Sequence, residues 1–236
     1  NATASGLNSV ALSRNTTALG DYSLAAGYCT SATGPASPAF GSNTIAAGTT
    51  SIASGYRAFS SGAYSAALRL NVNAGGDSSI VLGSYATALA AAYGTFVFGD
   101  QSMSTPAVGY APNQFIVRAV GGTGSDTNTA ANVGVELAPG GGGWSVVSDV
   151  NVKEHVRDWA AADVLSGIAR MPVREWNYKT QDASIRHMGP TAQDFHAAFG
   201  LGIDPRRTGT VDADGIALAA VKALEVRTRK LGGDAV

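Results

Sequence analysis

Glycine returns every seven residues through the first part of this chain, at 6, 20, 27, 34, 41, 48, 55 and 62, with Ser13 filling the one gap. Two residues before each lies a small residue: Ala4, Ala11, Ala18, Ala25, Ala32, Ala39, Ala46, Ala53 and Ser60. Two further back comes another small or hydroxyl residue, from Ala2, Ser9 and Thr16 through to Ala58. Residues at i and i+2 share one side of a strand, so each unit reads as a short strand with small inward positions. The glycine that follows permits a sharp corner, because it tolerates positive φ. A strand and a corner every seven residues predict a stacked solenoid, with two units to a turn. Leu68-Arg69-Leu70-Asn71 interrupts the register as an excursion, and the pattern returns through Ala74, Gly76, Val81 and Gly83.

A heptad coiled coil is excluded, since glycine in every seventh place makes a poor helix. A disordered Gly/Ser linker is disfavoured by the fixed register and by Leu12, Leu19, Leu24, Phe40, Ile45, Ile52 and Phe59 placed within it. Inward Ala, Ser and Thr leave little apolar area per coil, and at about 25 cal/mol per Å² so thin a core is marginal alone. Further burial is therefore expected from other copies of the chain.

The runs SLAAGYCTSATG and TIAAGTTSIASG resemble the heads of trimeric autotransporter adhesins. That resemblance, over roughly residues 2–99, implies a homotrimeric left-handed parallel β-roll and names no ligand.

Charge is distributed unevenly. Residues 1–147 hold four Arg (14, 57, 69, 118), no Lys and five acids (21, 77, 100, 126, 136), against 16 basic and 17 acidic residues in the whole chain. So sharp a step marks a boundary between two kinds of structure. A net charge of −1 gives no basic surface for nucleic acid, and no nucleic-acid partner is expected. No run approaches 18 apolar residues, so no membrane insertion is expected. The sequence opens on Asn1 and without a basic-then-apolar leader, as a fragment would. Cys29 stands alone and reads as a small buried side chain.

Between the two halves, Phe96–Asp100 ends the periodic part. Residues 113–119 and 132–137 alternate as strands, with 121–128 a loop between them. Gly140–Gly143 form a pliable joint; no Lys-Ser/Thr follows, so they are not a phosphate-binding loop.

Beyond the joint comes Ser148-Asp149-Val150-Asn151-Val152-Lys153. Residues 150–170 read as an amphipathic helix with Val156, Trp159, Val164, Leu165 and Ile168 on one face. Residues 173–178 read as a strand, and 180–185 as a turn. A helix from about 189 ends near Gly200. A longer helix covers 214–231, with Ile216, Ala220, Val221 and Leu224 as a possible three-chain seam. On residue chemistry alone Ser148 or Asp149 is a helix N-cap and Lys153 a solvated cation.

Four blocks, SDVNVKE, MPVREWNYK, RHMGPTAQDFHAAFGLG and TVDADGIALAAVKAL, together resemble the intramolecular chaperone domain of endosialidase type, which ends many phage tail spikes and fibres. The resemblance implies a homotrimeric folding aid that releases itself through a serine–lysine dyad. Carried onto this chain, Ser148 supplies the nucleophile and Lys153 the base, with Asp149 and Asn151 in the family's places. The cut is expected at Val147–Ser148, with Ser148–Asp149 as the second candidate. A lysine is a poor base at neutral pH, and desolvation on assembly favours its neutral form. Glu154 either orients Lys153 or caps the helix start. Arg186 and His187 are weaker supporting candidates, and His155 and His196 read as surface residues. No histidine pair with a third partner has metal-ligand spacing, so no metal or cofactor is expected.

The expected fold is mainly β with a C-terminal α+β domain. A β-roll head (1–99) leads through a β neck and Gly-rich connector (100–147) to a helical, trimerising chaperone domain (148–236). The expected role is the C-terminal part of a phage tail fibre in the virion, or of a bacterial cell-surface adhesin, with a host-cell receptor or glycan as partner. A non-cleaving adhesive fibre is the alternative. A glycan-cleaving spike is disfavoured, because the acids of residues 1–147 lie far apart in sequence and general acid–base hydrolysis needs two close carboxylates.

Overall fold

The computed structural model describes residues 1–233. Residues 234–236, with which the expected 148–236 domain ends, lie outside the described residues. The chain is mainly β, a parallel solenoid followed by a helical region, and divides into two compact units. The first takes Asn1–Asp126 and Val135–Ser145; the second takes Thr127–Gly134 and the chain from Val146 onward.

The solenoid is a 13-stranded sheet, parallel throughout its recorded pairs. Its strands stack 14 residues apart: Ala2 pairs with Thr16, Leu24 with Pro38, Ile52 with Ala66, and Ala66 with Ile80. Two seven-residue units therefore make one coil. The inward positions are the expected small ones. Thr16, Ala18, Ser23, Ala25, Thr30 and Ala32 are all 1% exposed or less, and the column continues to Val97. Interior hydroxyls of Ser37, Ser65 and Ser79 donate to the carbonyls of Gly34, Gly62 and Gly76, each at 2.6 Å. Cys29 is only partly buried.

The corners differ from the expectation. The left-handed residue at each corner stands two places after the glycine and is usually not glycine: Asn8, Asn15, Tyr22, Cys29, Ala36, Asn43, Thr50 and Arg57 all have φ between 51° and 58°. The glycines serve another end. A Cβ on Gly20, Gly34 or Gly48 would lie 2.0–2.1 Å from the carbonyl oxygen of the glycine one coil on. Only the alternate set combines this crowding with positive φ, as at Gly27 (φ 131°) and Gly55 (φ 126°). Close stacking of coils, more than the bend, accounts for the period.

There is no excursion at Arg69. The strand Ala66–Ala74 runs through it, and Arg69 pairs with both Gly55 and Gly83. Its φ of 107° shows an arginine adopting the conformation its glycine neighbours take. Beyond Ala88 the coils widen. Phe96–Gly99, Ala107–Gly109 and Phe115–Arg118 remain in the same sheet.

A charged cluster fastens this end. Arg118 Nε donates to Asp100 Oδ1 (3.0 Å) and its Nη2 to Asp100 O (2.8 Å). Its Nη1 reaches Thr105 O. Asp100 also accepts from the Ser102 hydroxyl (2.6 Å) and the Val120 amide (2.7 Å). The expected 121–128 loop is corrected, because Thr123–Asp126 is a strand. It forms a three-stranded sheet with Gly134–Leu137 and Ser145–Val146.

In the second unit, helices α1 (Ala161–Arg170), α2 (Ala192–Phe199) and α3 (Thr210–Gly233) accompany a hairpin pairing Arg174–Trp176 with His187–Gly189. Phe195, Phe199 and Ile216 form its core. Thr191 caps α2, accepting from Asp194 N (3.2 Å), and Gly200 ends it in the left-handed region (φ 66°). The expected seam on α3 splits into two stripes. Ile216, Ala220 and Ala223 are buried, whereas Leu218, Val221, Leu224 and Leu231 are exposed, because steps of three and four residues from Ile216 stay on one face and Val221 falls off it. No described helix is long and apolar enough to cross a membrane.

Candidate functional site

The expected helix over 150–170 is confined to its second half. Val150–Val152 is a single 3₁₀ turn, and regular helix resumes only at Ala161. Asp149 accounts for the turn. Its side chain accepts from the Asn151 amide and from Asn151 Nδ2, both at 2.9 Å, an Asx arrangement that competes with helix. Val152 N then donates to Asp149 O, and Lys153 N to Val150 O. His155 takes φ 53°, which ends any helical continuation, and Val156 is 75% exposed outside α1.

The consequence lies in the side chains. The turn folds the backbone back on itself, and Lys153 Nζ donates to Ser148 Oγ at 2.6 Å. The two residues expected to supply nucleophile and base are therefore hydrogen-bonded, with Asp149 and Asn151 shaping the turn between them. In the single chain Ser148, Asp149, Asn151 and Lys153 are all exposed. Val147, just upstream, donates its amide to Gly134 O (3.2 Å), which anchors the bond ahead of the serine.

The other candidates lie apart from this hydrogen-bonding. Glu154 pairs with His155 (3.8 Å) rather than Lys153, and with no helix starting there it caps none. Arg186 pairs with Glu175 across the hairpin. His187 stacks on Trp176 (4.7 Å between ring centres), meets Tyr178 edge-on, and its Nε2 lies 2.9 Å from Gln181 Oε1. In one chain these residues tie the hairpin and its turn together. His196 is corrected from a surface residue to a half-buried one, with Nδ1 3.0 Å from Leu201 O. Sequence reasoning passed over Gln181 and Asp194; the latter accepts from Arg174 (2.6 Å) and from the Thr191 hydroxyl (2.8 Å). Those two contacts, Thr191 foremost, hold its carboxyl below the usual carboxylate range. The Thr-x-x-Asp spacing that begins α2 was the available signal.

Chemically, a hydroxyl 2.6 Å from an amine is an arrangement that can serve acyl transfer, with the oxygen as nucleophile and the amine as base. Among the described residues no group of three or more His, Cys, Asp or Glu is placed to hold a metal ion. A family model described as chaperone of endosialidase, a self-cleaving peptidase-type family, matches residues 148–200. The matched segment begins at the serine of the pair and ends at the glycine closing α2. No curated protein matches the chain.

Proposed function

We propose that this chain is the C-terminal part of a homotrimeric surface fibre, a phage tail fibre or a bacterial adhesin, whose domain from residue 148 assembles the trimer and then cuts itself away at Val147–Ser148. The observation that carries the reading is the 2.6 Å contact between Lys153 Nζ and Ser148 Oγ at the start of the family-matched segment.

The chemistry follows from those two groups. Neutral Lys153 takes the proton of Ser148 Oγ as the oxygen attacks the Val147 carbonyl carbon, which lies one peptide bond upstream. The tetrahedral intermediate collapses as the Ser148 nitrogen receives a proton and the C–N bond breaks. This leaves an ester between the Val147 carbonyl and Ser148 Oγ. Water then hydrolyses the ester, freeing a Val147 carboxylate and restoring the serine. Each chain turns over once. Both groups are exposed in one chain, and in this reading neighbouring copies cover them on assembly, where loss of water disfavours buried charge. Assembly is thus the event that switches the dyad on.

The solenoid supports the trimeric part of the reading. One strand of each coil turns Val10, Leu24, Ile52, Ile80 and Phe96 outward in a single column, with Leu12, Phe40, Leu68 and Leu82 in the next. The opposite strand shows a mixed column, Thr3, Thr17, Ser31, Ile45, Phe59 and Asn73. One face of a thin-cored solenoid is apolar, as burial between copies requires. Residues 1–99 act in this reading as a head like that of trimeric autotransporter adhesins, facing a host-cell receptor or glycan, and 100–147 as neck and connector.

Denaturing mass measurement on the wild type, Ser148→Ala and Lys153→Met tests the cut. The wild type is expected as two pieces, 1–147 and 148–236, and both variants as one. An intact wild type removes the peptidase and leaves a trimerising fibre with a retained domain. Fragments in all three assign the cut to another nucleophile.

A further inference from the structure

The two edges of the solenoid carry opposite charge. Its acids Asp21 and Asp77 stand on one corner, where their Oδ1 atoms accept from the amides of Leu7 and Ala63, one coil back, each at 2.8 Å. Those carboxylates are engaged in holding coils together. Arg14, Arg57 and Arg69 stand on the opposite corner, seven residues away around each coil, and all three are exposed. Among the described residues none of the three pairs with a carboxylate, whereas the fourth arginine of residues 1–147, Arg118, is bound to Asp100.

The same corner carries aromatic rings. Tyr28 and Tyr56 occupy one column, separated by Ser42. Two coils apart, they lie about 10 Å from each other along the edge. Arg14 sits over the Tyr28 ring (5.6 Å to its centre) and Arg57 over that of Tyr56 (5.5 Å). Both rings are nearly half exposed. Each unit thus sets a guanidinium over one side of a tyrosine ring that remains partly exposed.

We infer that this Arg–Tyr edge binds an acidic polysaccharide along the solenoid axis. Tyrosine faces suit the C–H faces of sugar rings, and a planar guanidinium pairs bidentately with a carboxylate. Two such units and Arg69 lie along one edge, so they fit a polymer that runs along it and carries several charges. Three separated arginines are too sparse for a duplex, whose phosphates come every 1.7 Å or so along the axis. The inference rests on the fibre reading of residues 1–99 and is independent of the cut at residue 148.

The repeat itself supplies substitutions that fold. Arg14→Ser and Tyr28→Ser copy Ser42 and Ser84 of the same column, Arg57→Asn copies Asn43 and Asn71, and Arg69→Gly copies Gly55 and Gly83. Binding of the full chain to polygalacturonate, to neutral dextran and to a short DNA duplex is measured by calorimetry or biosensor, with oligomeric state and cleavage read in parallel. The expected result is salt-sensitive binding to polygalacturonate and none to dextran. The triple arginine variant is expected to lose at least tenfold in affinity, and Tyr28→Ser with Tyr56→Ser about as much. Equal binding by the arginine variant overturns the site. Loss through arginine but not tyrosine, with DNA bound as tightly, reduces it to general attraction of polyanions and overturns the sugar assignment. Arginine variants that lose the oligomer overturn it in favour of a contact between copies. An unaltered polygalacturonate response in a chain that fails to cleave leaves this site standing while the peptidase reading falls.

Discussion

Asp149 decides whether two distant atoms of a flexible serine and a long lysine meet. Its carboxylate accepts from Asn151 twice, and the resulting turn sets Lys153 Nζ 2.6 Å from Ser148 Oγ. An Asx cap is worth about 1 kcal/mol, so Asp149→Ala should slow the cut roughly fivefold while leaving assembly intact, with Asp149→Asn restoring most of the rate. A time course of fragment appearance measures this; an unchanged rate for Asp149→Ala would remove the turn from the mechanism. Asp100 gives a pH prediction. The hydroxyl of Ser102 first, then the Val120 amide, hold its carboxyl well below the usual carboxylate range, with Arg118 adding to the effect. A depressed carboxyl stabilises the fold at pH values above its unfolded pKa of about 4, and that contribution is lost as pH falls through the folded value. Acid unfolding followed by circular dichroism should therefore show Asp100→Asn less stable at pH 7 and flatter below pH 4; parallel curves would contradict it. Ser148 and Lys153 were legible in the sequence only through the resemblance of the surrounding blocks, since a serine five residues before a lysine is otherwise an ordinary cap and a solvated cation. The turn between them was not legible, because Asp149 begins a helix and an Asx turn with the same residue.

Elements were legible in proportion to how repetitive they are. The strands of the solenoid, their inward Ala and Thr positions and their pairing of two units per coil follow directly from the seven-residue period. Its corners were misassigned for a physical reason: glycine is demanded both by positive φ and by close backbone approach, and spacing cannot separate the two. Arg69 was mistaken for an excursion because composition hides a backbone conformation that the flanking coils impose. In the second unit the pattern Val156, Trp159, Val164 suggests one helix, but left-handed His155 and the extended backbone at Ala160 leave only α1. α1 meets α2 at Gly167, where a Cβ would lie 2.4 Å from Phe199 Cε1. Phe199 is held in turn by Phe195 and Trp159, with ring centres at 5.3 and 6.1 Å, so it has little room to retreat. Gly167→Ala should cost about 1–3 kcal/mol by overpacking, despite alanine's better helix propensity. Thermal unfolding of the uncleaved Ser148→Ala chain reads this, and a stabilised Gly167→Ala protein would show that the helices part easily.

The chain as a whole divides its work. The solenoid has a core of small side chains, chiefly alanine, serine and threonine, an apolar outer column, and almost no charge beyond its edges; in the proposed reading that column is what its copies bury. The second unit carries the histidines, the exposed apolar stripe of Leu218, Val221 and Leu224, and the Ser148–Lys153 pair. If the chain is such a fibre, a releasable folding domain is useful to it, because copies wound together are held kinetically after assembly and no longer need the domain. The proposed function requires an order of events, assembly first and cutting second. The most direct test is refolding of denatured full-length chain, made as Lys153→Met for the uncut control and as wild type kept denatured from synthesis, with native and denatured masses sampled over time. A full-length species of three copies is expected before any 148–236 fragment, with dilution delaying both together. Fragment released from single chains at an undiminished rate would contradict it.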